Sequence, residues 1–200
     1  MFSINEVPKD IPQKMINKKI WTHDCEIVMN QMVLLTVDHY DFLGNILPGQ
    51  LIVCRLVAKK VVLIFKELFD LKFPIEKIKL IDEYDGDDER SMADNNSSCF
   101  NYRNISGSRV RSMHSYGLAI DINPLQNPFL QVDSNKNTVI VSPQKGVDFL
   151  NRNNQRSGMV EPIVKIFKRH GFDVWGGNWN SPIDYHHFQV ERVIAEKFFS

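Results

Sequence analysis

The chain has 200 residues, of which 43% are hydrophobic and 24% charged, and its 24 Lys and Arg residues balance its 24 Asp and Glu residues. This composition is ordinary for a globular domain with a sizeable core, and the balanced charge gives no reason to expect a nucleic acid as partner. No run approaches the roughly 18 apolar residues of a membrane span, and the N-terminus lacks the pattern of a secretory signal.

The three cysteines, Cys25, Cys54 and Cys99, form no C-x-x-C pair, and their number is odd. We therefore expect buried thiols, and neither a disulfide framework nor a cysteine-rich metal site. This usage fits a reducing compartment.

The first half of the chain predicts four elements. Polar residues 1–20 are expected to form an extended arm or a short helix. Residues 51–54 resemble a short buried strand, and residues 55–71 carry apolar side chains at helical spacing. Residues 77–80 alternate between lysine and apolar side chains, as in a half-buried strand.

Residues 82–111 are polar and rich in Asp, Asn, Ser and Gly. Structureless connections of this length are uncommon in compact domains and are often functional or disordered. Met92, Phe100 and Tyr102 favour a loop that is anchored on the domain, with disorder as the alternative.

The second half mixes strands and helices without a regular β-α-β alternation, which favours an α+β fold. We expect a single domain with a small central antiparallel sheet flanked by helices. The predicted elements are strands at 117–123, 139–141, 172–175 and 185–190, a helix around 160–167 that Gly171 would end, and a short helix after Glu191.

Two segments carry residues that could bind a metal ion or transfer protons. In the first, His114 and Asp121 are separated by seven positions, and Asp121 lies in an otherwise apolar strand. A carboxylate there is costly to desolvate unless it is paired, hydrogen-bonded or metal-bound. The alternative is an aspartate at a sheet rim that faces water or accepts backbone N–H groups.

The second segment offers Asp184, His186 and His187 beside a strand. In that strand His187 shares a face with Gln189, so only one of the two histidines points readily into a given site. Catalytic zinc commonly takes three ligands from His, Asp and Glu and leaves a fourth position for water. The two segments together could supply that set, with Asp184 left over as a carboxylate that handles protons.

The pattern Ser-x-His-x-x-Gly-x-Ala-x-Asp followed by Asp-x-x-His-Phe resembles the zinc-dependent peptidoglycan peptidases. These are the D-alanyl-D-alanine carboxypeptidases and L-alanyl-D-glutamate endopeptidases, which include phage endolysins. Residues 91–103, 121–128 and 175–179 are similar to the endopeptidase branch, and the resemblance extends over roughly residues 45–190.

The resemblance implies a role for each matching residue. His114, Asp121 and His187 would bind Zn²⁺ in a cleft at the sheet, and Asp184 would be the general base and then the acid. Arg103 would hold the substrate and stabilise the developing oxyanion.

Further candidates for lining the cleft are Ser112, Tyr116 and Trp179, with core packing as the alternative for the tryptophan. The expected organisation is an N-terminal arm and start of the domain over residues 1–40 and a zinc peptidase domain over residues 41–200. The expected substrate is a peptidoglycan stem peptide or muropeptide, and the expected state is a monomer.

Three questions stay open at this point. A non-catalytic, zinc-stabilised domain of the hedgehog type is the alternative function, although the presence of Asp184 and Arg103 favours an enzyme. Exopeptidase and endopeptidase action are not distinguished. Without a signal sequence, the expected location is the cytoplasm or a site reached by a non-classical or phage-type route.

Overall fold

A computed structural model describes residues 1–22, 25, 29–133 and 138–199. Strands and short helices are mixed along the chain, as predicted for an α+β domain. In chain order the strands and α-helices are β1 (Phe2–Glu6), α1 (Asp10–Asn17), β2 (Met32–Tyr40), β3 (Ile46–Cys54), α2 (Ala58–Asp70), β4 (Lys77–Ile78), α3 (Asp88–Ala93), β5 (Asn96–Ser97), β6 (Ala119–Asp121), β7 (Phe129–Asp133), β8 (Thr138–Ser142), α4 (Val164–Arg169), β9 (Val174–Trp175), β10 (Ile183–Asp184), β11 (His187–Gln189) and α5 (Arg192–Phe199).

The strands of the described residues do not form the single central sheet expected from the sequence. They form three antiparallel three-stranded sheets, in the orders β1-β2-β3, β10-β7-β8 and β6-β11-β9, and β4 pairs with β5 in parallel. Short strands explain the difference, because β6 ends at Asp121 and the left-handed backbone of Asn123 (φ 46°) follows two residues later. A ladder interrupted in this way cannot extend into one large sheet.

Helix α2 covers the largest sheet with the apolar stripe that its sequence predicts. Val61, Ile64, Phe65 and Leu68 are all buried, and their spacing of three and four residues places them on one side of the helix. The helix begins at Ala58, three residues later than predicted. The buried stripe makes this sheet and α2 the main hydrophobic core.

The first 20 residues supply both a strand and a helix. Strand β1 runs antiparallel to β2, and α1 follows it. Arg55 holds Glu6 at the end of β1 through two hydrogen bonds of 2.9 and 2.7 Å. The N-terminal segment is thus part of the first sheet.

The polar region 82–111 is folded against the domain, as predicted for an anchored loop. Met92 and Phe100 are buried. Buried Asn96 donates to the carbonyl of Lys79 (3.1 Å) and accepts from the same residue's N–H (2.8 Å). Side-chain amides therefore replace the regular ladder that the sequence pattern lacks.

The C-terminal part packs behind β11 and belongs to the same hydrophobic core as α2 and the first sheet. Phe167 of α4 stacks on Phe188 of β11 with ring centroids 3.9 Å apart. Gly171 follows α4 with φ +84°, which confirms the predicted glycine at the end of this helix. No disulfide joins the three cysteines, all of which the structure describes. Among the described helices, none has both the length and the apolar character of a membrane span.

Candidate metal centre

Strand pairing places Asp121 directly opposite His187. The two residues are register partners in β6 and β11, so their side chains share one side of the sheet. His187 Nδ1 lies 3.1 Å from Asp121 Oδ1, and both residues are buried. The sheet itself fixes the spacing of these two groups.

His114 reaches the same place from a short 3-10 helix, Met113–Tyr116. Ser112 caps this helix, since its Oγ accepts the N–H of His114 at 3.3 Å. Gly117 then turns the chain into β6 with φ +61°, and a Cβ there would lie 2.6 Å from the backbone nitrogen of Cys54. Glycine is required at this turn, which folds His114 back over Asp121.

The three side chains converge on one point. His114 Nε2 lies 3.1 Å from Asp121 Oδ2 and 3.1 Å from His187 Nδ1. One ligand atom from each residue falls within 4.8 Å of the other two. This is the donor set of two imidazoles and a carboxylate that suits zinc.

Each of the two imidazole rings has an inner nitrogen, which faces Asp121, and an outer nitrogen, which faces away from it. The contacts of the outer nitrogens determine what can lie between the inner ones. His114 Nδ1 is 2.6 Å from the carbonyl oxygen of Cys99, and His187 Nε2 is 2.9 Å from Gln189 Oε1. Both partners are acceptors, so these outer nitrogens carry the hydrogens of the neutral rings. When both rings are neutral, the inner nitrogens face each other and Asp121 with their lone pairs. A cation between them removes the repulsion, so the arrangement fits a metal ion.

The electrostatics point the same way. Burial opposes a charge on Asp121, but the charges of His114 and His186 outweigh it and hold the pKa of this carboxyl well below its usual value. Burial likewise disfavours a charged His187, but the hydrogen bond and charge of Asp121 outweigh burial and raise the pKa of that ring. The buried carboxylate thus attracts positive charge to this position.

His186 points to a different place from His187. Its Nδ1 is 2.7 Å from the carbonyl oxygen of Asn127, and its Nε2 is 2.9 Å from Asp184 Oδ1 and 4.0 Å from Asp121 Oδ2. Burial lowers the pKa of His186, but Asp184 and Asp121 outweigh it and raise this pKa to about 10. Both ring nitrogens therefore face acceptors, and the ring of His186 lies between the carboxylates of Asp184 and Asp121.

Arg103 lies against the segment that carries His114. Its N–H donates to Ser115 Oγ (2.8 Å), its carbonyl accepts from the same hydroxyl (2.7 Å), and it also accepts from the N–H of Ser112 (3.1 Å). Its guanidinium is half-buried and forms an ion pair with Asp88 at 2.7 Å.

The three residues predicted to line the cleft have different surroundings. Ser112 is buried and uses its hydroxyl as the helix cap. Half-buried Tyr116 contacts Phe199 of α5, with ring centroids 5.2 Å apart. Half-buried Trp179 contacts the ring of His187 at a centroid distance of 5.4 Å. Of the three, Trp179 contacts one of the three converging side chains, that of His187, and it is partly open to solvent.

The groups that orient the two candidate ligand rings do not follow from the sequence. The one signal is that Gln189 shares a strand face with His187, and this alone assigns it no role. The carbonyls of Cys99 and Asn127 carry no signal in the sequence, because a backbone acceptor has no residue preference.

Comparison with protein families finds one matching model, described as D-alanyl-D-alanine carboxypeptidase, over residues 106–190. The matched segment contains all three converging side chains and Asp184, and it ends after β11. Arg103 and Cys99 precede it. Comparison with curated proteins and with solved structures gives no match.

Proposed function

We propose that this chain is a zinc-dependent hydrolase of peptide bonds in peptidoglycan stem peptides, in line with the match of residues 106–190 to the family model described as D-alanyl-D-alanine carboxypeptidase. The observation that carries the proposal is the convergence of three buried side chains, His114, Asp121 and His187, each of which places a ligand atom within 4.8 Å of the other two.

In the proposed site these three residues hold the zinc. Zinc with three protein ligands supplies Lewis-acid chemistry, in that it polarises a carbonyl group and makes hydroxide available at neutral pH. The hydrogen bonds to Cys99 and Gln189 keep the two rings in the tautomers that binding needs.

Asp184 moves the proton in the proposed reaction. Its Oδ1 is buried and has no hydrogen-bond partner among the described residues, although His186 Nε2 lies 2.9 Å away. The carboxylate takes a proton from the attacking water and delivers it to the nitrogen of the leaving amine. His186 keeps positive charge beside it throughout.

Arg103 and Trp179 act on the substrate. The guanidinium of Arg103 donates to the carbonyl oxygen of the scissile bond as negative charge develops there, a contribution of typically about 3 kcal/mol for one donor. The partly exposed indole of Trp179 forms an apolar wall beside His187, against which the stem peptide lies.

The test is metal-dependent release of new amino groups from purified peptidoglycan. We expect metal-free protein to be inactive, stoichiometric zinc to restore turnover, and His187→Ala and Asp184→Asn to lower the rate by roughly 100-fold or more. His170→Ala is the matched control, since His170 is likewise a histidine paired with a carboxylate, that of Glu67, but is only half-buried and lies at the C-terminal end of α4.

Two outcomes would contradict the proposal. Full turnover by His187→Ala would remove zinc ligation from the mechanism. Stoichiometric zinc binding without turnover on any stem peptide would favour a zinc-stabilised binding domain of the hedgehog type.

A further inference from the structure

We propose that Asp88 is a positioning residue for Arg103: it holds the guanidinium in place before the substrate binds, through a contact that also ties α3 to the segment carrying His114. This inference rests on the proposed function, because it concerns how the arginine of that site is oriented. Asp88 lies outside the segment matched by the family model.

Both oxygens of Asp88 are engaged. Oδ2 lies 2.7 Å from Arg103 Nη2, and Oδ1 accepts from Asn101 Nδ2 at 3.2 Å. The side chains of Asp88 and Arg103 are 28% and 31% exposed, so the pair lies at the boundary between the interior and solvent. A carboxylate held on both sides is a fixed anchor for the guanidinium.

Asn101 connects this anchor to the metal centre. It is buried, its backbone N–H donates to the carbonyl of His114 (3.2 Å), and its own carbonyl accepts from Ser115 Oγ (3.3 Å). The same Ser115 hydroxyl holds the backbone of Arg103. Asp88, Asn101 and Ser115 therefore fix both ends of Arg103 relative to His114.

The guanidinium keeps donors for a substrate after this contact is made. Arginine has five N–H groups, and a single carboxylate oxygen occupies one nitrogen. Arg103 Nε is buried and has no hydrogen-bond partner in the described part of the chain. A buried donor without a partner is unfavourable in the free protein, and a substrate oxygen that reaches the guanidinium edge would relieve this.

Orientation explains why the anchor matters for rate. Arginine is long and flexible, and a misplacement of about 1 Å of a catalytic group can cost about 100-fold. Without Asp88 the guanidinium would sample several rotamers, and binding would have to order it. We therefore expect Asp88 to affect kcat more than KM.

The experiment is a double-mutant cycle in the zinc-loaded 200-residue chain with a synthetic stem peptide as substrate. Asp88→Ala is expected to lower kcat/KM about 10-fold or more, mainly through kcat, while the zinc content stays at that of the wild type. In the Arg103→Ala background the same change is expected to cost less than about 2-fold, since there is no guanidinium left to position.

Asp87→Ala is the matched control. Asp87 caps α3 by accepting the N–H of Arg90 at 3.1 Å, so its loss loosens the same helix and leaves the contact to Arg103 in place. We expect its kcat to remain near that of the wild type.

The outcomes separate the two proposals. Equal losses from Asp88→Ala in both backgrounds, or a loss from Asp87→Ala as large as that from Asp88→Ala, would overturn the positioning role. An unimpaired Asp88→Ala protein beside an impaired Arg103→Ala protein would also overturn it, and the proposed hydrolase function would stand. A zinc-loaded wild type without turnover would instead refute the function itself.

Discussion

Gln189 orients the ring of His187, the proposed metal ligand two residues before it. Its amide oxygen accepts from His187 Nε2, which leaves Nδ1 without a hydrogen and facing Asp121. The two side chains share a face of β11 because residues at i and i+2 of a strand point the same way. The ligand's tautomer is therefore specified within the strand that carries it.

Gln189→Leu should weaken zinc binding. Without the acceptor, the hydrogen of His187 is free to move to Nδ1 and block the ligand position, and the loss of such a partner typically costs about 10- to 100-fold in metal affinity. Competition with a chelator of known affinity measures the effect. Gln13→Leu serves as control, since Gln13 is exposed on α1 and its amide donates to Asn17 Oδ1 at 3.0 Å on the same helix. Unchanged zinc affinity in the Gln189 variant would show that the amide does not orient the ring.

His39 is a buried histidine that has no part in the proposed reaction. It lies near the end of β2, is 3% exposed, and neither ring nitrogen has a hydrogen-bond partner among the described residues. Burial lowers its pKa from 6.5 to about 4, and the charge of Asp41 offsets this only in part. The folded protein thus holds His39 neutral over a pH range in which the unfolded chain protonates it.

This difference predicts a loss of stability in mild acid. Above the unfolded pKa of 6.5 both states are neutral and the stability is fully present, and it falls as the pH drops toward the folded pKa of about 4. Between about pH 7.5 and about pH 5 the contribution is roughly 2 kcal/mol. Urea unfolding at the two pH values should show a smaller acid-induced loss for His39→Leu than for the wild type. Equal losses in both proteins would show that His39 titrates normally in the fold.

At the scale of elements, the turn between the 3-10 helix Met113–Tyr116 and β6 controls the metal centre. Gly117 makes this turn with φ +61°, close against Cys54 and Val53 at the end of β3. A side chain here would meet backbone atoms, which cannot move aside as a flexible side chain can. The position of His114 therefore depends on the absence of a Cβ.

Gly117→Ala should destabilise the protein more than Gly107→Ala does. Both glycines have positive φ, so both substitutions carry the left-handed strain of about 1–2 kcal/mol, but a Cβ at Gly107 meets nothing within 4 Å. The clash at Gly117 should add roughly 1–3 kcal/mol. The free energies of unfolding in urea test this difference. A Gly117→Ala protein as stable as Gly107→Ala would mean that β3 and the turn separate easily.

Elements with one apolar stripe were predictable, and elements with mixed surroundings were not. Helix α2 and the strand around β6 follow from their apolar spacing, and the short helix expected after Glu191 is present as α5. Strand β2 was missed because its first four residues are all buried and show no alternation. The sequence predicts a loop over residues 82–111 because the order of this region comes from side chains such as Asn96 that form hydrogen bonds with the backbone. Such contacts leave no periodic pattern of apolar residues.

The candidate site shows the same division. The three converging residues were predicted from the resemblance of their motifs, and the structure brings them together. The pairing of Arg103 with Asp88 depends on a contact between two segments that are brought together only by folding. A single sequence contains no spacing rule for such pairs.

At the scale of the whole molecule, the site draws on both halves of the chain. The family match begins at residue 106, yet Cys99 orients His114, and the backbone of Ser98 pairs with Asp121 in both directions (3.1 and 2.9 Å). The expected boundary at residue 40 falls between β2 and β3, which pair along their full length. The first sheet and the metal centre are thus parts of one connected structure, joined at Cys54 and Gly117.

A second network supports the other side of the site. Arg152 binds Glu161 through two hydrogen bonds of 2.6 and 2.7 Å and donates to Asn127 Oδ1 at 2.9 Å. The carbonyl of Asn127 in turn accepts from His186, which faces Asp184. The proposed proton-transferring group therefore rests on buried contacts outside β10, its own short strand.

The central claim, zinc-dependent cleavage of a stem peptide, is tested most directly by mass spectrometry of muropeptides incubated with the zinc-loaded protein. Cleavage of this kind yields two fragments whose masses together equal that of the substrate plus one water, from one defined peptide bond, either before a terminal D-alanine or within the stem. These fragments are expected to be absent with Asp184→Asn and with the metal-free protein. Intact muropeptides after incubation with the fully zinc-loaded wild type, or identical fragments from the metal-free protein, would contradict this claim.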